Sequence, residues 1–315
     1  MSGNIRRSII RFLPLIFAVS AVIFAAATMQ ASAGGALFSI SQSASNRVVL
    51  GQDGSILVSA EPGGRISVLD LATGLERASL QGDSGSIVTE LAISPDGNKL
   101  ASVAAGVLTI WDIRSGRQRE ISATDPQGGG VRGLVFGSDG RILAGIEGNT
   151  RIVVWDVASG SEKLVFSPVD GPVSDIALSP DGSMLASGHA DGRIALWNLD
   201  ENAPEILSGH SSVVWSLQFR QDGDTFVSAS DDATIILWNT SSREPIDSIL
   251  GHRGPIWSIA LSPDGTHLAS ASNDQQVKIW NLAERELPKT LRGHAGSVSS
   301  VEVRGNQVAS SSHDG

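Results

Sequence analysis

Serine, histidine and aspartate recur in this chain as a set. His210, Ser228 and Asp232 are followed by His252, Ser270 and Asp274, and then by His294, Ser310 and Asp314. Together these types could run acyl transfer, with a serine nucleophile, an imidazole base and a carboxylate that orients the base. A catalytic set occurs once, on exposed loops, beside an oxyanion hole. Here the histidines are 42 residues apart and each serine stands inside an apolar run such as Thr225-Phe226-Val227-Ser228-Ala229-Ser230. No Gly-x-Ser-x-Gly elbow is present. Trp238 and Trp280 close the first two sets at the same 42-residue spacing. The pattern predicts a repeated structural unit, and no catalytic residue is assigned.

Other chemistries find less support. His189, His267 and His313 stand on separate repeats without ligand spacing, so they read as exposed turn histidines and no metal site is expected. The absence of cysteine excludes disulfides, thiolate zinc and covalent haem attachment. Net charge is −10, and Lys99, Lys163, Lys278 and Lys289 are the only lysines. That balance lacks the basic stripe that phosphate neutralisation requires, so nucleic acid is not an expected partner. No cofactor is expected either.

The elements that must carry these residues are marked by regular punctuation. Asp-Gly recurs at Asp53-Gly54, Asp96-Gly97, Asp139-Gly140, Asp181-Gly182, Asp222-Gly223 and Asp264-Gly265, with Arg304-Gly305-Asn306 as a seventh instance. Asp-Gly between short apolar runs is a hairpin signal, because glycine accepts the positive φ of a tight turn. A third strand then ends at Leu69-Asp70, Trp111-Asp112, Trp155-Asp156, Trp197-Asn198, Trp238-Asn239 or Trp280-Asn281, and a fourth follows, as in Ile246 to Leu250. No helix pattern interrupts the series after Gly34.

A period near 42 residues, with Gly-His early and Trp-Asp or Trp-Asn late, resembles the WD-repeat family of β-propellers. The resemblance implies an all-β fold, a seven-bladed propeller of four-stranded antiparallel blades across residues 34–315. It also implies a structural tetrad in which indole N–H meets hydroxyl, hydroxyl meets imidazole and imidazole meets carboxylate. That tetrad maps onto His210, Ser228, Asp232 and Trp238, and onto His252, Ser270, Asp274 and Trp280. Val169 replaces the histidine in the copy with Ser187, Asp191 and Trp197, while Gly145 and Asn149 precede Trp155. In this family the N-terminal strand completes the last blade, a place that Gly35 to Ile40 would take. The third strand expected after Asp314 is absent, so the last blade is expected to be incomplete and the chain a truncated product or a fragment; the alternative is a natively three-stranded closing blade.

The family register also puts Trp215 and Trp257 on the narrow top rim, five residues after each Gly-His histidine. Asn46, Thr89, Arg132, Ser174 and Ser299 fall at the same position of other repeats. Asp231, Asn273 and His313 take the rim turn before the structural aspartate. Tryptophan on a wet rim suggests a protein-binding patch, so Trp215, Trp257, Asp231, Asn273, His313 and Arg132 form the candidate partner site. The expected function is a non-catalytic protein–protein interaction scaffold. The alternative is a propeller enzyme, a hydrolase or a quinoprotein-like dehydrogenase with a central-channel site. The turns Asp70-Leu71-Ala72-Thr73-Gly74 and Asp156-Val157-Ala158-Ser159-Gly160 resemble those of quinoproteins, but here tryptophan comes before the turn.

Residues 1–33 read as an export signal: a basic head of Arg6, Arg7 and Arg11, an uncharged run from Phe12 to Met29, and the small-residue site Ala31-Ser32-Ala33. The expected location is periplasmic or extracellular. An uncleaved segment would instead be a membrane anchor, since the run is just long enough to span.

Overall fold

In each repeat the Asp-Gly turn bends one short strand back on the next. The computed structural model describes residues 21–23, 26–32, 35–41, 46–51, 54–82, 85–121, 130–167, 171–201, 204–284, 286–304 and 307–314. Asp53, Ala33, Val169, Gly305 and Asn306, and residues 1–20, lie outside them. Gly97, Gly140, Gly182, Gly223 and Gly265 hold φ between 67° and 75°, which a side chain would strain. The turn aspartate locks the bend: Asp96 Oδ1 accepts from Ser94 Oγ at 2.6 Å and from the Asn98 amide at 3.1 Å.

The strands among the described residues form antiparallel sheets arranged as successive blades. Blade two runs Val88–Ile93, Lys99–Ala104, Val107–Asp112 and Gln118–Ile121 from inside to outside, and blades three to six repeat that four-stranded order. Blade five, for example, is Val214–Phe219, Thr225–Ser230, Thr234–Asn239 and Pro245–Leu250. Blade one contains Asn46–Leu50, Ile56–Ala60, Arg65–Asp70 and Glu76–Gln81, with Ala21–Ile23 added at its inner edge. Blade seven has two described strands, Val298–Arg304 and Gln307–Ser312. First strands of neighbouring blades meet around a central channel.

The middle strands are apolar on both faces because each blade is covered by the next. Ile142–Glu147 and Thr225–Ser230 are buried at every position. The cores accordingly lie between blades: Val227, Ala229, Ile235 and Leu237 of blade five pack with Ile256, Ile259, Leu268 and Trp280 of blade six. Outer strands alternate and face solvent, as in Pro245–Leu250, where Ile246 and Leu250 are exposed. The quinoprotein-like turns are blade connectors. Asp70 Oδ1 accepts from the Thr73 amide at 2.8 Å and its hydroxyl at 2.9 Å, and Asp156 holds Ser159 in the same way.

Gly35–Ser41 does not join blade seven. It pairs with Ala26–Ser32, from Ala26 opposite Ser41 to Ser32 opposite Gly35. An outermost strand needs a third strand to pair with, and blade seven offers none among the described residues, so the segment satisfies its backbone groups locally.

Candidate functional site

The rim position is built by a backbone irregularity that recurs in the first strands. In blade five Val214 faces Ser230 and Ser216 faces Ala229, so Trp215 has no residue opposite it. Trp257 in blade six, Ser299 in blade seven, Ser174 in blade four and Thr89 in blade two occupy the same β-bulge. A bulge inserts an unpaired residue and re-aims its side chain, here towards the neighbouring blade and the rim.

That geometry brings Trp215 and Trp257 together. Their ring centroids are 5.2 Å apart at 53°, a tilted aromatic pair across a blade boundary. Trp215 is 36% exposed and Trp257 is half-buried. Both indole N–H groups are already engaged: Trp215 Nε1 donates to Asp231 Oδ1 at 3.2 Å, and Trp257 Nε1 to Ser297 Oγ at 3.1 Å. What remains exposed is ring surface. Asn273 and His313 are exposed on the following blades, their amides donating to Pro255 O at 2.9 Å and Ser297 O at 3.0 Å.

Arg132 does not belong with this pair. Its guanidinium donates to Val173 O at 2.5 Å and Ser174 O at 3.4 Å, tying blade three to blade four. Ser174 Oγ in turn donates to Val214 O of blade five. Arg132, Ser174 and Trp257 thus stitch neighbouring blades, whereas Thr89 and Ser299 bond within their own blades, and only Trp215 and Trp257 present aromatic surface at this register. A related set of bonds lies one or three residues further along the first strands. Asp175 Oδ2 accepts the Leu217 amide at 2.8 Å, and Gln218 Oε1 accepts that of Leu261 at 2.8 Å. These side chains satisfy amides on the channel edge of the next blade. Burial pushes the Asp175 carboxyl up to about 6, against the lowering pull of the Leu217 and Ile176 amides and of Arg132.

Beneath the rim lie the serine–histidine–aspartate sets. In blade five Trp238 Nε1 donates to Ser228 Oγ at 2.8 Å, His210 Nε2 meets the same oxygen at 2.7 Å, and His210 Nδ1 meets Asp232 Oδ2 at 3.1 Å. Blade six repeats this with Trp280, Ser270, His252 and Asp274 at 2.8, 2.7 and 2.9 Å. Ser228 and Ser270 are fully buried, so neither hydroxyl can reach a substrate. Asp232 Oδ2 also accepts the Ser211 amide at 2.9 Å, and Asp274 Oδ2 that of Arg253 at 3.0 Å, which ties the Gly-His loop to the turn after the second strand. Burial holds both imidazoles below their ordinary pKa, which keeps them neutral and leaves Nε2 to accept from serine.

His189 departs from the sequence reading. It is buried, not exposed, and its Nε2 lies 3.0 Å from Ser187 Oγ, the oxygen that also accepts Trp197 Nε1 at 3.0 Å. An imidazole two residues along the same strand thereby serves the hydroxyl of the repeat that carries Val169. The signal was legible: residues two apart share a strand face. In blade three Gly145 takes the serine position, and fully buried Trp155 has no hydrogen-bond partner for Nε1. His267 and His313 are exposed.

The channel holds a cavity of about 330 Å³, walled mainly by first-strand residues such as Phe136, Ile176, Leu217 and Ile259. Among the described residues of that lining, Glu302 is the one ionisable group. Among the described residues no cluster of three or more potential metal ligands occurs.

Comparison with known proteins agrees with this architecture. The family model of the WD domain, G-beta repeat, matches residues 74–112, 160–198, 203–239, 243–281 and 285–315. Each matched stretch couples two blades; residues 203–239 take in the outer strand Pro204–Leu207 of blade four and three strands of blade five. WD repeat-containing protein SL1-17 of Schistosoma mansoni is 34% identical over 196 residues, covering 61% of this chain and 63% of that protein. Transducin beta-like protein 3 of Rattus norvegicus is 28% identical over 191 residues, covering 58% of this chain and 23% of that protein. The chain therefore spans less than two thirds of the length of these curated relatives. Repeats, blades and buried tetrads together place the chain in the WD-repeat family, whose members serve in general as non-catalytic scaffolds for protein–protein interaction.

Proposed function

We propose that this chain is an exported, non-catalytic platform that holds a protein partner on the rim around Trp215 and Trp257. The observation that carries the reading is the aromatic pair itself, 5.2 Å between centroids, with Trp215 36% exposed. Both indoles are fixed by hydrogen bonds before any partner arrives, so little side-chain entropy is lost on binding. Asp231, Asn273 and His313 supply a polar surround, as rims of interaction sites do.

Export rests on Arg6, Arg7 and Arg11, the uncharged run after them and Ala31-Ser32-Ala33. The working compartment is the periplasm or the exterior, or the membrane surface if the segment is retained. No helix among the described residues is long and apolar enough to cross a membrane. Cleavage after Ala33 would release Gly35–Ser41 from its pairing with Ala26–Ser32.

A photo-cross-linking side chain at exposed Asn273 tests the rim. It should give one discrete adduct in the envelope fraction, whereas the same probe at His267, beside the Asp264-Gly265 turn at the other end of the strand, should give none. Equal labelling at both positions would sink the rim assignment. N-terminal sequencing of the exported chain should begin at Gly34; a mature chain beginning at its first residues would contradict cleavage.

A further inference from the structure

On the reading that a partner polypeptide sits on the rim of blades five and six, we infer that this patch selects an arginine side chain, stacked on the exposed surface of the Trp215 ring and paired with the Asp231 carboxylate. Trp215 is 36% exposed, and the Trp257 ring, 5.2 Å away, braces it from blade six. Blades five and six each have four paired strands, so the patch is finished surface and not an open edge.

The carboxylate makes the patch selective for charge. Asp231 Oδ1 accepts the Trp215 indole N–H at 3.2 Å, and Oδ2 accepts from Ser212 Oγ at 3.3 Å. Both donors are neutral, and among the described residues no lysine, arginine or histidine pairs with this carboxylate. An ionised carboxylate offers about four lone-pair sites, so roughly two stay open. Asp231 is half-buried at the rim, within reach of a partner. Blade five alone has this arrangement. The same turn position carries Ala190, Asn273 and His313 in blades four, six and seven, and Trp257 sends its N–H to Ser297 instead.

A carboxylate held on the indole N–H pushes electron density into the ring and sets a negative charge at its edge. Both effects favour a cation over the ring face. Guanidinium suits the place better than ammonium, because its plane stacks flat on the indole while its N–H edge turns to the carboxylate. The chain's net charge of −10 favours a partner of the same positive sign. Arg253, exposed on the loop before Trp257, does not fill the site. Its amide donates to Asp274 Oδ2 at 3.0 Å, and among the described residues its guanidinium pairs with neither the rings nor Asp231.

The test uses the 315-residue protein and three capped tripeptides with glycine on either side of arginine, citrulline or lysine. Binding is followed at the indole N–H resonance of Trp215, identified as the signal missing from Trp215→Phe. The arginine peptide should bind saturably and about tenfold more tightly than the citrulline peptide, which keeps the plane and loses the charge. The lysine peptide should fall between them. Asp231→Asn, which keeps an acceptor for the indole, should bring arginine down to the level of citrulline. Equal binding of arginine and citrulline, a preference that survives in Asp231→Asn, or an unmoved Trp215 resonance would overturn the inference. So would arginine binding seen only in Arg253→Ala, since the chain's own arginine would then be the occupant. Excess arginine peptide should also suppress the adduct at Asn273. An adduct that depends on Trp215 but resists this peptide would leave the rim standing and remove its arginine preference. Loss of any adduct at Asn273 would remove the rim as a partner site, while the peptide titrations still decide the preference for arginine.

Discussion

The Trp257 indole N–H crosses from blade six to blade seven and donates to Ser297 Oγ at 3.1 Å. Trp215, its ring partner, keeps its own bond within blade five, on Asp231. The two rim tryptophans therefore differ in what they hold. Trp257→Ala loses a ring contact and an inter-blade hydrogen bond, about 1–3 kcal/mol together. Trp215→Ala should cost about 1 kcal/mol or less, because its bond is exposed and local. Calorimetry of the two variants should show the larger fall in Tm for Trp257→Ala, and Ser297→Ala should reproduce part of it. The reverse order would mean that the Ser297 bond contributes nothing.

The tetrads stabilise blades. His252→Ala leaves a buried hydroxyl and a nearly buried carboxylate short of partners and should cost about 1–3 kcal/mol. Ser270→Ala should cost a similar amount, and the double variant less than the sum, because both remove the same chain of bonds. Denaturant melts measure all three. Hydrolytic activity that vanished in Ser228→Ala or Ser270→Ala at unchanged stability would refute a purely structural role.

Trp155 provides the converse case. Its indole N–H is buried without a partner, whereas that of Trp238 donates to Ser228. Trp155→Phe removes an unpaired donor, while Trp238→Phe breaks a bond and leaves the Ser228 oxygen without its donor, bonded to His210 alone. The second substitution should therefore be the costlier by about 1–2 kcal/mol. Equal losses would indicate that ring packing alone sets the cost at both sites.

Asp175 gives a pH signature. Its carboxyl is raised from the ordinary 3.8 to about 6 by burial, so between those values the folded chain holds a proton that the unfolded chain has released. That contribution to stability is complete below about 4 and is lost as pH rises through 6. Asp175→Asn removes the titration and keeps an acceptor for the Leu217 amide. Relative to wild type the variant should thus gain stability as pH rises from about 4 to about 6, with a near-constant difference above that. The lowered imidazoles of His210 and His252 act in the opposite sense, with stability falling as pH drops below the unfolded value of about 6.5, and they do so in both proteins. A constant Tm difference across that range would show that Asp175 does not titrate there.

Much of the framework could be read from the chain because its signals are local and repeated. Asp-Gly marks each hairpin, and the 42-residue step from His210 to His252 fixes the register of serine, aspartate and tryptophan without any knowledge of distance. What escaped was set by neighbours that sequence order does not show. Arg132 shares the rim register with Trp215, yet its long side chain reaches two carbonyls of the next blade. His189 looked like a turn residue because the turn follows it, although its ring points inward to Ser187. The place of Gly35 to Ile40 in the repeat points to blade seven, but a strand follows the available edge, and Gly35–Ser41 pairs with Ala26–Ser32.

Binding at the rim is tested most directly by titrating the partner captured at Asn273 against wild type, Trp215→Ala and Trp257→Ala, with Tm recorded on the same samples. Each substitution should weaken binding by roughly 30-fold, about 2 kcal/mol, while Trp215→Ala melts within about 3 °C of wild type. Undiminished affinity in Trp215→Ala, or loss of binding only where the domain has unfolded, would show that the tryptophan pair is packing and that the partner sits elsewhere.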